Sequence, residues 1–283
     1  MKYLESEPLK NHTTFKIGGP AKLFCQPKTI ADLQAALAKA KTENLKLLVL
    51  GNGSNVLLPD EGWSGLVIKL AEAFSSIKFD GERVIALAGT KVSELAMKTA
   101  DKGLSGLEFI AGVPGTVGGA VYMNVGAWGE SFGDYVESVK CLNNDGAEIV
   151  FSNADLNFSY RDSRLQQNDC YVVEITLKLS KSDQVSIRSK MRENMQARAL
   201  KQPLEYPSAG SVFKNPPDNF AAKLIEEAGC MGLRVGDAQV SEKHANFIVN
   251  LGSARAEDVR ALIKQVQSRV KVQLEPEIRI VLN

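Results

Sequence analysis

The stretch "AGVPGTVGGAVYMNVGAWG", residues 111–129, decides the fold of this chain. A surface turn does not need so many glycines, but a flat ligand pressed against the backbone does, because each Cβ would intrude on it. Pro114 stiffens the same loop. The stretch therefore predicts a loop that holds a planar ligand. Its glycines are Gly112, Gly115, Gly118, Gly119, Gly126 and Gly129.

A second glycine-rich stretch, "GNGSN" at residues 51–55, directly follows the apolar run "KLLVL". Gly51 and Gly53 let the backbone approach a ligand and point successive N–H groups at an anion. A Rossmann fingerprint needs a third glycine where Val56 stands, and a P-loop needs G-K-[ST], so neither motif is present. Taken alone, the stretch favours a plain surface turn over a ligand loop. Two such loops in one chain favour a large, planar, anionic cofactor such as a dinucleotide.

Composition excludes several classes of function. The 283 residues (30.7 kDa) are enough for one large domain or two to three smaller ones. The formal net charge of +1 favours neither nucleic acid nor an anionic membrane as a partner. The N-terminus lacks the apolar segment of a signal peptide, and no run reaches the roughly 20 apolar residues of a membrane span. We therefore expect a cytoplasmic protein.

Cysteine and histidine usage narrows the chemistry further. The cysteines show no C-x-x-C spacing, which predicts buried thiols in a reducing compartment rather than disulfides or a zinc site. His12 and His244 are the only histidines, so a multi-histidine metal site is excluded. Ser211 in "SAGSVFKNP" lacks the second glycine of G-x-S-x-G, which disfavours acyl transfer. A phosphate clamp, a proton donor and a turn hydroxyl stay open for Ser211. The cysteines are Cys25, Cys141, Cys170 and Cys230.

The apolar pattern predicts mixed α and β structure. Strands are expected in "KLLVLG", "GLVIKLA", "RVIALAG", "VESVKCLN" and "CYVVEITLKL", and helices near 91–102, over 184–200 and in "NFAAKLIEEAG". The segment "TIADLQAALAKAKTENL" predicts a helix whose capping box is Thr29 and Asp32. A last helix, in "SARAEDVRALIKQVQSRV", is expected with Ser253 as its N-cap. Its apolar stripe is Val259, Leu262, Ile263, Val266 and Val270.

Five motifs, in order, carry a resemblance to a known family. "GNGSN" and "AGVPGTVGGAVYMNVGA" are similar to the FAD-binding signature of the UDP-N-acetylenolpyruvoylglucosamine reductase (MurB) family. "YRDSR" (160–164), "GSVFKNP" (210–216) and "LEPEIRIV" (274–281) match outside the flavin half. The resemblance spans the chain from "NHTTFKIGG" to its end, with Trp128 where tyrosine is more usual. Because the sequence ends just after "LEPEIRIVLN", it resembles the compact type II branch, which lacks the substrate-covering tyrosine loop of type I enzymes.

The resemblance implies an α+β fold. It consists of an FAD-binding domain of the vanillyl-alcohol-oxidase/PCMH type, made of two α/β subdomains, and a C-terminal α+β substrate domain that carries Ser211. We expect subdomains over 1–72 and 73–183, a connecting helix over 184–196 and the substrate domain over 197–283, with the last strand able to return to the first subdomain. A monomer is favoured.

The resemblance also implies the reaction. NADPH reduces non-covalently bound FAD, and hydride then passes to the enolpyruvyl vinyl ether of a UDP-sugar, which gives UDP-N-acetylmuramate for peptidoglycan. The negative charge that develops beside the carboxylate needs a cation and a hydrogen-bond donor. Arg161 matches the family's arginine and offers a planar fork, while Glu277 matches its second LEPE carboxylate and would donate if protonated. Ser211 stands in the family's proton-donor position.

Further site residues follow from the same resemblance, which implies a small-molecule UDP-sugar as the partner and no metal. The substrate-binding residues are Tyr160, Lys214 and Asn215. The cofactor-binding residues are Gly51, Asn52, Gly53, Ser54, Asn55, Gly112, Pro114, Gly115, Thr116, Gly118, Gly119, Asn124 and Gly126.

Structural alternatives stand beside these roles. Taken alone, Arg161 could form a surface ion pair, and Glu275 and Glu277 could be a solvated edge around a proline. We expect His244 to be half-buried with a structural partner rather than a substrate ligand, and Lys201 to be solvated rather than bound to phosphate. The order of the motifs favours function for Arg161 and Glu277.

Two other functions stay open. Flavin oxidases of the same superfamily are the enzymatic alternative, but many attach FAD to a histidine, and His12 is a poor candidate for that link. A binding module that has lost its chemistry is the non-enzymatic alternative. The joint presence of Arg161, Ser211 and Glu277 argues against such a module.

Overall fold

Helices and strands are interspersed along the chain, which confirms the α+β fold class. The computed structural model describes residues 1–167 and 169–283. Within those ranges, no helix combines the length and the apolar character needed to cross a membrane. The helices are α1 Ile30–Thr42, α2 Val92–Asp101, α3 Val117–Tyr122, α4 Gln184–Lys201, α5 Ala221–Glu227 and α6 Ala256–Arg269. The strands are β1 Tyr3–Pro8, β2 Pro20–Cys25, β3 Leu47–Leu50, β4 Val56–Leu57, β5 Trp63–Lys69, β6 Ile77–Asp80, β7 Arg83–Leu87, β8 Leu104–Ser105, β9 Gly126–Ala127, β10 Glu130–Ser131, β11 Val136–Asn143, β12 Glu148–Ser152, β13 Cys170–Lys178, β14 Ser180–Lys181, β15 Ser208–Ser211, β16 Arg234–Val235, β17 Ala238–Val240, β18 Phe247–Asn250 and β19 Arg279–Ile280.

The chain forms two compact units. The second unit contains residues that the sequence analysis placed in the first expected subdomain, namely 5–23 and 53–64. The expected subdomain boundaries at residues 72 and 183 stay predictions. The first unit is 1–4, 24–52 and 65–197, and the second is 5–23, 53–64 and 198–283.

An antiparallel sheet in the order β12-β11-β13-β7-β6 forms the centre of the first unit. Val139 of β11 lies opposite Ile175 of β13, which lies opposite Ala86 of β7, and all three are buried. Helix α3 packs against β7 and β13. In the same unit β3 pairs with β5 in parallel, with Leu47 opposite Leu66. The strands predicted from these apolar runs are therefore confirmed.

Helix α1 begins as its sequence predicts. The Asp32 N–H donates to Thr29 Oγ1 at 3.1 Å, and the Thr29 N–H donates to Asp32 Oδ2 at 3.2 Å. This reciprocal pair is the expected capping box. The apolar face of the helix is buried through Leu33, Leu37 and Ala40.

The second unit is built on an antiparallel sheet in the order β15-β18-β17-β16, with α6 packed on β16 and β17. Strand β19 pairs in parallel with β4, with Arg279 opposite Val56. The predicted apolar stripe of α6 is buried in this core. Three side chains from far upstream join it, Phe15, Ile17 and Leu57.

The expected N-cap of α6, Ser253, is wrong. The helix begins at Ala256, and the carboxylate of Asp60 accepts from the N–H groups of Ala256 (2.8 Å) and Glu257 (3.1 Å). The Ser253 N–H donates instead to Asp237 Oδ2. A carboxylate satisfies two otherwise unpaired donors and also interacts favourably with the helix dipole, so a remote aspartate replaces the local hydroxyl.

The cysteines are buried and unpaired, as their spacing predicts. Burial raises the pKa of the Cys25 thiol to about 12 and also raises the pKa of the Cys230 thiol. Because the thiolate is the reactive form of cysteine, these two side chains act as packing groups.

Loss of the Asp60 carboxylate should destabilise the second unit. We expect Asp60→Ala to lower the free energy of unfolding by about 1–2 kcal/mol, because two N–H groups of α6 lose their acceptor. Urea denaturation followed by circular dichroism would measure this. Asp60→Asn keeps one acceptor oxygen and should lose less. Equal stability of the alanine and asparagine variants would show that Asp60 is not the cap.

Candidate functional site

The glycine loop over 112–119 is held against the chain that follows β7. The Val117 N–H donates to the Thr90 carbonyl at 2.8 Å, and the Gly118 N–H donates to the Ala88 carbonyl at 2.8 Å. These backbone hydrogen bonds resemble those between paired strands. They give the loop a defined path.

The two glycine-rich stretches meet at Gly51 and Thr116, both in the first unit. A Cβ on Gly51 would lie 2.3 Å from Thr116 Oγ1, so only glycine fits there. Thr116 is buried and precedes α3, and its Oγ1 accepts from the Gly119 N–H at 3.4 Å. The structure therefore brings together these two predicted cofactor residues, which lie 65 positions apart in the sequence.

The loop glycines serve two different purposes. A Cβ on Gly118 would lie 2.9 Å from Ala88 Cβ, and one on Gly126 would lie 2.7 Å from the Glu130 carbonyl oxygen. The protein's own packing therefore requires glycine at 118 and 126. At Gly119, in contrast, Thr116 Oγ1 at 3.7 Å is the contact found, which is ordinary van der Waals distance. Gly119 is exposed, so the protein's own packing does not explain glycine at this position.

A pocket of about 160 Å³ in the first unit is lined by Asn52 and Thr116, one residue from each glycine-rich stretch. Its ammonium groups, on Lys69 and Lys91, suit an anionic ligand. Lys91 forms an ion pair with Glu72, whose hydrogen bond raises the pKa of the Lys91 ammonium. The sequence analysis did not select these lysines, because single lysines beside a strand carry no motif. The lining residues are Gln26, Asn52, Lys69, Ala71, Glu72, Ala73, Gly89, Lys91 and Thr116.

The second half of "GNGSN" is tied into the second unit. Gly53 has φ +63°, and a Cβ there would lie 2.3 Å from the His12 carbonyl oxygen. The Asn55 side-chain amide donates to the Glu277 carbonyl at 3.2 Å, and the Asn55 carbonyl accepts from the Arg279 N–H at 3.0 Å. Ser54, between them, is half-exposed. Asn55 thus connects a predicted cofactor stretch to a predicted catalytic residue within one unit.

Arg161 occupies a strained turn in the first unit. Its φ is +57°, a value that non-glycine residues rarely adopt. Its Nη2 donates to the Gly126 carbonyl at 2.9 Å, and its guanidinium lies 5.0 Å from the centre of the Tyr160 ring. The structure therefore places Arg161, the residue predicted to bind the substrate carboxylate, against the glycine loop. Backbone strain of this kind is found at functional sites, which agrees with the role proposed for Arg161.

Asn124 fixes that turn. Its side-chain amide is buried, donates to the Ser159 carbonyl at 2.8 Å and accepts from the Gly133 N–H at 2.8 Å. Its φ of +42° lies in the left-handed region, which asparagine tolerates better than most residues. The side chain of this predicted cofactor residue therefore links the glycine loop to the turn that carries Arg161.

The backbone of Glu277 is bonded to the residue that follows Ser211 in the second unit. Ser211 ends β15, and the carbonyl of the next residue, Val212, accepts from the Glu277 N–H at 2.7 Å. Both side chains are half-exposed. A hydroxyl and a carboxyl held this way can act on neighbouring atoms of one ligand.

The residues after Ser211 are also fixed. Lys214 donates from its N–H to the Glu275 carbonyl at 2.9 Å, and its Nζ lies 2.7 Å from Glu275 Oε1. Asn215 Oδ1 accepts from the Ala221 N–H at 3.0 Å, at the start of α5. The Lys214 cation is therefore paired with Glu275, while the Asn215 side chain orders the loop that leads to α5.

His244 has the structural partner that the sequence analysis expected. Its Nδ1 accepts from the Asn246 N–H at 3.2 Å, and its ring packs edge-on against Phe247 at 4.8 Å. Burial lowers the pKa of His244. The imidazole is therefore neutral at physiological pH.

Known proteins resemble this chain over most of its length. Residues 202–281 match the UDP-N-acetylenolpyruvoylglucosamine reductase C-terminal domain family, and residues 21–152 match an FAD binding domain family. The UDP-N-acetylenolpyruvoylglucosamine reductase of Alkaliphilus oremlandii is 45% identical over 98% of this chain and 93% of its own length. The enzyme of the same name from Caldicellulosiruptor bescii is 45% identical, over 99% of this chain and 91% of its own.

A solved structure shows the same fold. The crystal structure of UDP-N-acetylenolpyruvylglucosamine reductase (MurB) from Thermus caldophilus has a TM-score of 0.86 and 40% identity, and covers 99% of this chain and 98% of its own. The expected fold class and the FAD cofactor are confirmed, and the chain is an FAD-dependent oxidoreductase. Because the likeness extends over nearly all of both chains, the protein belongs to the UDP-N-acetylenolpyruvoylglucosamine reductase family.

Proposed function

We propose that this protein reduces UDP-N-acetylenolpyruvoylglucosamine to UDP-N-acetylmuramate in the cytoplasm, with NADPH as the electron donor. Besides family membership, the observation that carries the proposal is the adjacency of Ser211 and Glu277 in one unit. The Glu277 N–H bonds to the carbonyl of the residue that follows Ser211, at 2.7 Å. This bond fixes the backbone of Glu277 relative to the segment that carries Ser211, which favours their action on one substrate.

The first unit has features that fit FAD. Gly119 leaves its backbone accessible, and Lys69 and Lys91 place two ammonium groups around a pocket that Asn52 also lines. These cations and amide groups suit the diphosphate of a dinucleotide. When bound in this site, FAD would supply the two-electron chemistry that carries hydride from NADPH to the terminal CH2 of the vinyl ether.

The protein's own residues handle the charge and the proton. As the terminal carbon gains hydride, negative charge develops on the adjacent carbon and spreads into the substrate carboxylate. We assign the guanidinium of Arg161 to bind that carboxylate and the carboxyl of Glu277 to hydrogen-bond it. Ser211 gives its hydroxyl proton to the adjacent carbon and regains one from solvent. One NADPH and one proton are consumed, and NADP+ and the saturated ether are formed.

The remaining predicted substrate residues have supporting roles in this proposal. Lys214 supplies a cation for the substrate diphosphate, and Asn215 orients the loop beside it through its bond to α5. Tyr160 packs its exposed ring under the Arg161 guanidinium and limits the directions in which that fork can point.

Gly119 tests the cofactor loop. We expect Gly119→Val to weaken FAD binding roughly 5- to 150-fold, the equivalent of 1–3 kcal/mol of overpacking. The thermal stability of the FAD-free protein should stay equal or rise, because most residues favour a helix more than glycine does. Gly118→Val should instead destabilise the FAD-free protein, since its Cβ meets Ala88 at 2.9 Å. Fluorescence titration with FAD measures the first effect, and unchanged affinity in Gly119→Val would reject this loop as the cofactor site.

Ser211 tests proton donation. We expect Ser211→Ala to keep FAD and to be reduced by NADPH at a near-normal rate, because that half-reaction needs no proton on the sugar product. Reoxidation by the enolpyruvyl substrate should slow about 10²- to 10⁴-fold, the usual effect of a positioned general acid. Ser211→Cys should recover part of this loss, since a thiol is a stronger acid. Stopped-flow flavin absorbance separates the two steps, and an alanine variant that regains its colour as fast as the parent would exclude Ser211 as the donor.

Arg161 tests carboxylate binding. We expect Arg161→Lys to slow reoxidation by the substrate at least about 10-fold, because an ammonium cannot replace the planar fork. Arg164, in the same motif, pairs with Asp169 through two bonds of 2.9 and 2.7 Å and serves as the matched control. Arg164→Lys should change the rate less than about 2-fold, since an exposed ion pair contributes little. Equal rates in the two variants would remove Arg161 from the proposed chemistry.

A further inference from the structure

Strand β15 contains a β-bulge immediately before Ser211. Ser208 lies opposite Val249, and Ser211 lies opposite Phe247. Strand β15 therefore advances three residues where β18 advances two, which leaves one extra residue on β15. Gly210 has φ +77°, and within the described part of the chain no heavy atom beyond its two chain neighbours lies within 4 Å of the position of its Cβ. Space is therefore not the reason for glycine at 210. The left-handed backbone of the bulge is the reason.

The bulge determines which way Ser211 points. Successive side chains of a strand alternate between its two faces, so one extra residue moves every following side chain to the opposite face. Without the bulge, the hydroxyl of Ser211 would exchange faces with the side chain of its neighbour. The direction of the proposed proton donor thus depends on a backbone conformation that favours glycine.

A buried asparagine fixes the chain on the other side of Ser211. Asn246 Oδ1 accepts from the Phe213 N–H at 2.9 Å, and its Nδ2 donates to the Phe213 carbonyl at 2.8 Å. The Asn246 carbonyl also accepts from the Val212 N–H at 2.9 Å. One residue therefore satisfies three of the four backbone N–H and C=O groups of Val212 and Phe213, just after Ser211.

The same segment carries the bond to Glu277. Because the Val212 carbonyl accepts from the Glu277 N–H at 2.7 Å, the peptide units around Val212 lie between Asn246 on one side and Glu277 on the other. A shift of this segment would move Ser211 relative to Glu277. The side-chain amide of Asn246 opposes such a shift more than a backbone ladder bond alone would.

We propose that Asn246, together with the bulge at Gly210, is a positioning residue for proton donation by Ser211, an inference that rests on the proposed function. Asn246 acts through the backbone of Val212 and Phe213 and does not itself touch the substrate. Its loss displaces the hydroxyl while leaving it present. An error of about 1 Å in the placement of a reacting group can cost about 100-fold in rate.

Asn250 provides a matched control in the same sheet. It is also buried, its Nδ2 donates to the Phe15 carbonyl at 3.0 Å, and its Oδ1 accepts from the N–H groups of Gly252 (2.8 Å) and Ala254 (3.0 Å). The Asn250 side chain therefore binds three backbone groups, whereas the Asn246 side chain binds two. None of the groups bound by Asn250 adjoins Ser211. A purely structural role for Asn246 would make the two alanine variants behave alike.

The experiment uses the FAD-loaded full chain and measures three quantities in Asn246→Ala and Asn250→Ala. These are thermal stability, the rate of flavin reduction by NADPH and the rate of reoxidation by UDP-N-acetylenolpyruvoylglucosamine. We expect both variants to lose stability and to be reduced within about 2-fold of the parent rate. Reoxidation should slow about 10- to 100-fold in Asn246→Ala alone. Reoxidation of Asn246→Ala at the rate of Asn250→Ala would overturn the proposal.

Two substitutions at Gly210 test the bulge even if Asn246→Ala fails to fold. Asparagine tolerates the left-handed region and valine does not. Because a Cβ at 210 meets no other group, Gly210→Asn should reoxidise faster than Gly210→Val by about 10-fold or more, and equal rates would contradict the proposal. A parent protein that NADPH reduces but the enolpyruvyl substrate does not reoxidise would overturn the proposed function, and the positioning role with it. Failure of the positioning role alone leaves the parent fully active.

Discussion

The peptide groups of Val212 form the constraint on which the candidate chemistry of the second unit depends. The N–H of Val212 donates to the Asn246 carbonyl, and its C=O accepts from the Glu277 N–H. Asn246 and Glu277, which are far from Ser211 in the sequence, are thereby both bonded to its neighbour Val212. The backbone segments that carry the hydroxyl and the carboxyl are therefore fixed relative to each other. Sites built on paired strands in this way hold geometry better than sites built on loops.

Glycine has three separable uses in this chain. At Gly51, Gly118 and Gly126 the protein's own atoms occupy the space of a Cβ. Gly210 has open space and is needed for its positive φ. Gly119 meets neither condition, which makes it the informative position for ligand contact. A count of glycines indicates a special backbone, but only the surroundings of each one show which use applies.

Elements with local signals were predicted from the sequence, and interactions between remote residues were not. The capping box of α1 and the apolar stripe of α6 each lie within one short stretch of sequence. Both are confirmed. The predicted N-cap of α6 was wrong because the acceptor of its first N–H groups, Asp60, stands 196 residues before Ala256. Ser211, Arg161 and Glu277 were selected through the order of family motifs rather than through any pattern of their own. Asn246 has no signal at all in "KHANF", because its role exists only once Phe213 is folded against it.

The composition of the second unit has a consequence for how the chain can fold during synthesis. Phe15, Ile17 and Leu57 belong to the same buried cluster as residues near the C-terminus, such as Leu274 and Ile278. These upstream side chains leave the ribosome more than two hundred residues before Leu274 and Ile278. Contacts of such long sequence separation slow folding, because loop closure must precede their gain. The nascent chain therefore exposes aromatic and aliphatic side chains while the residues that complete their core are still being made, the condition under which chaperones bind.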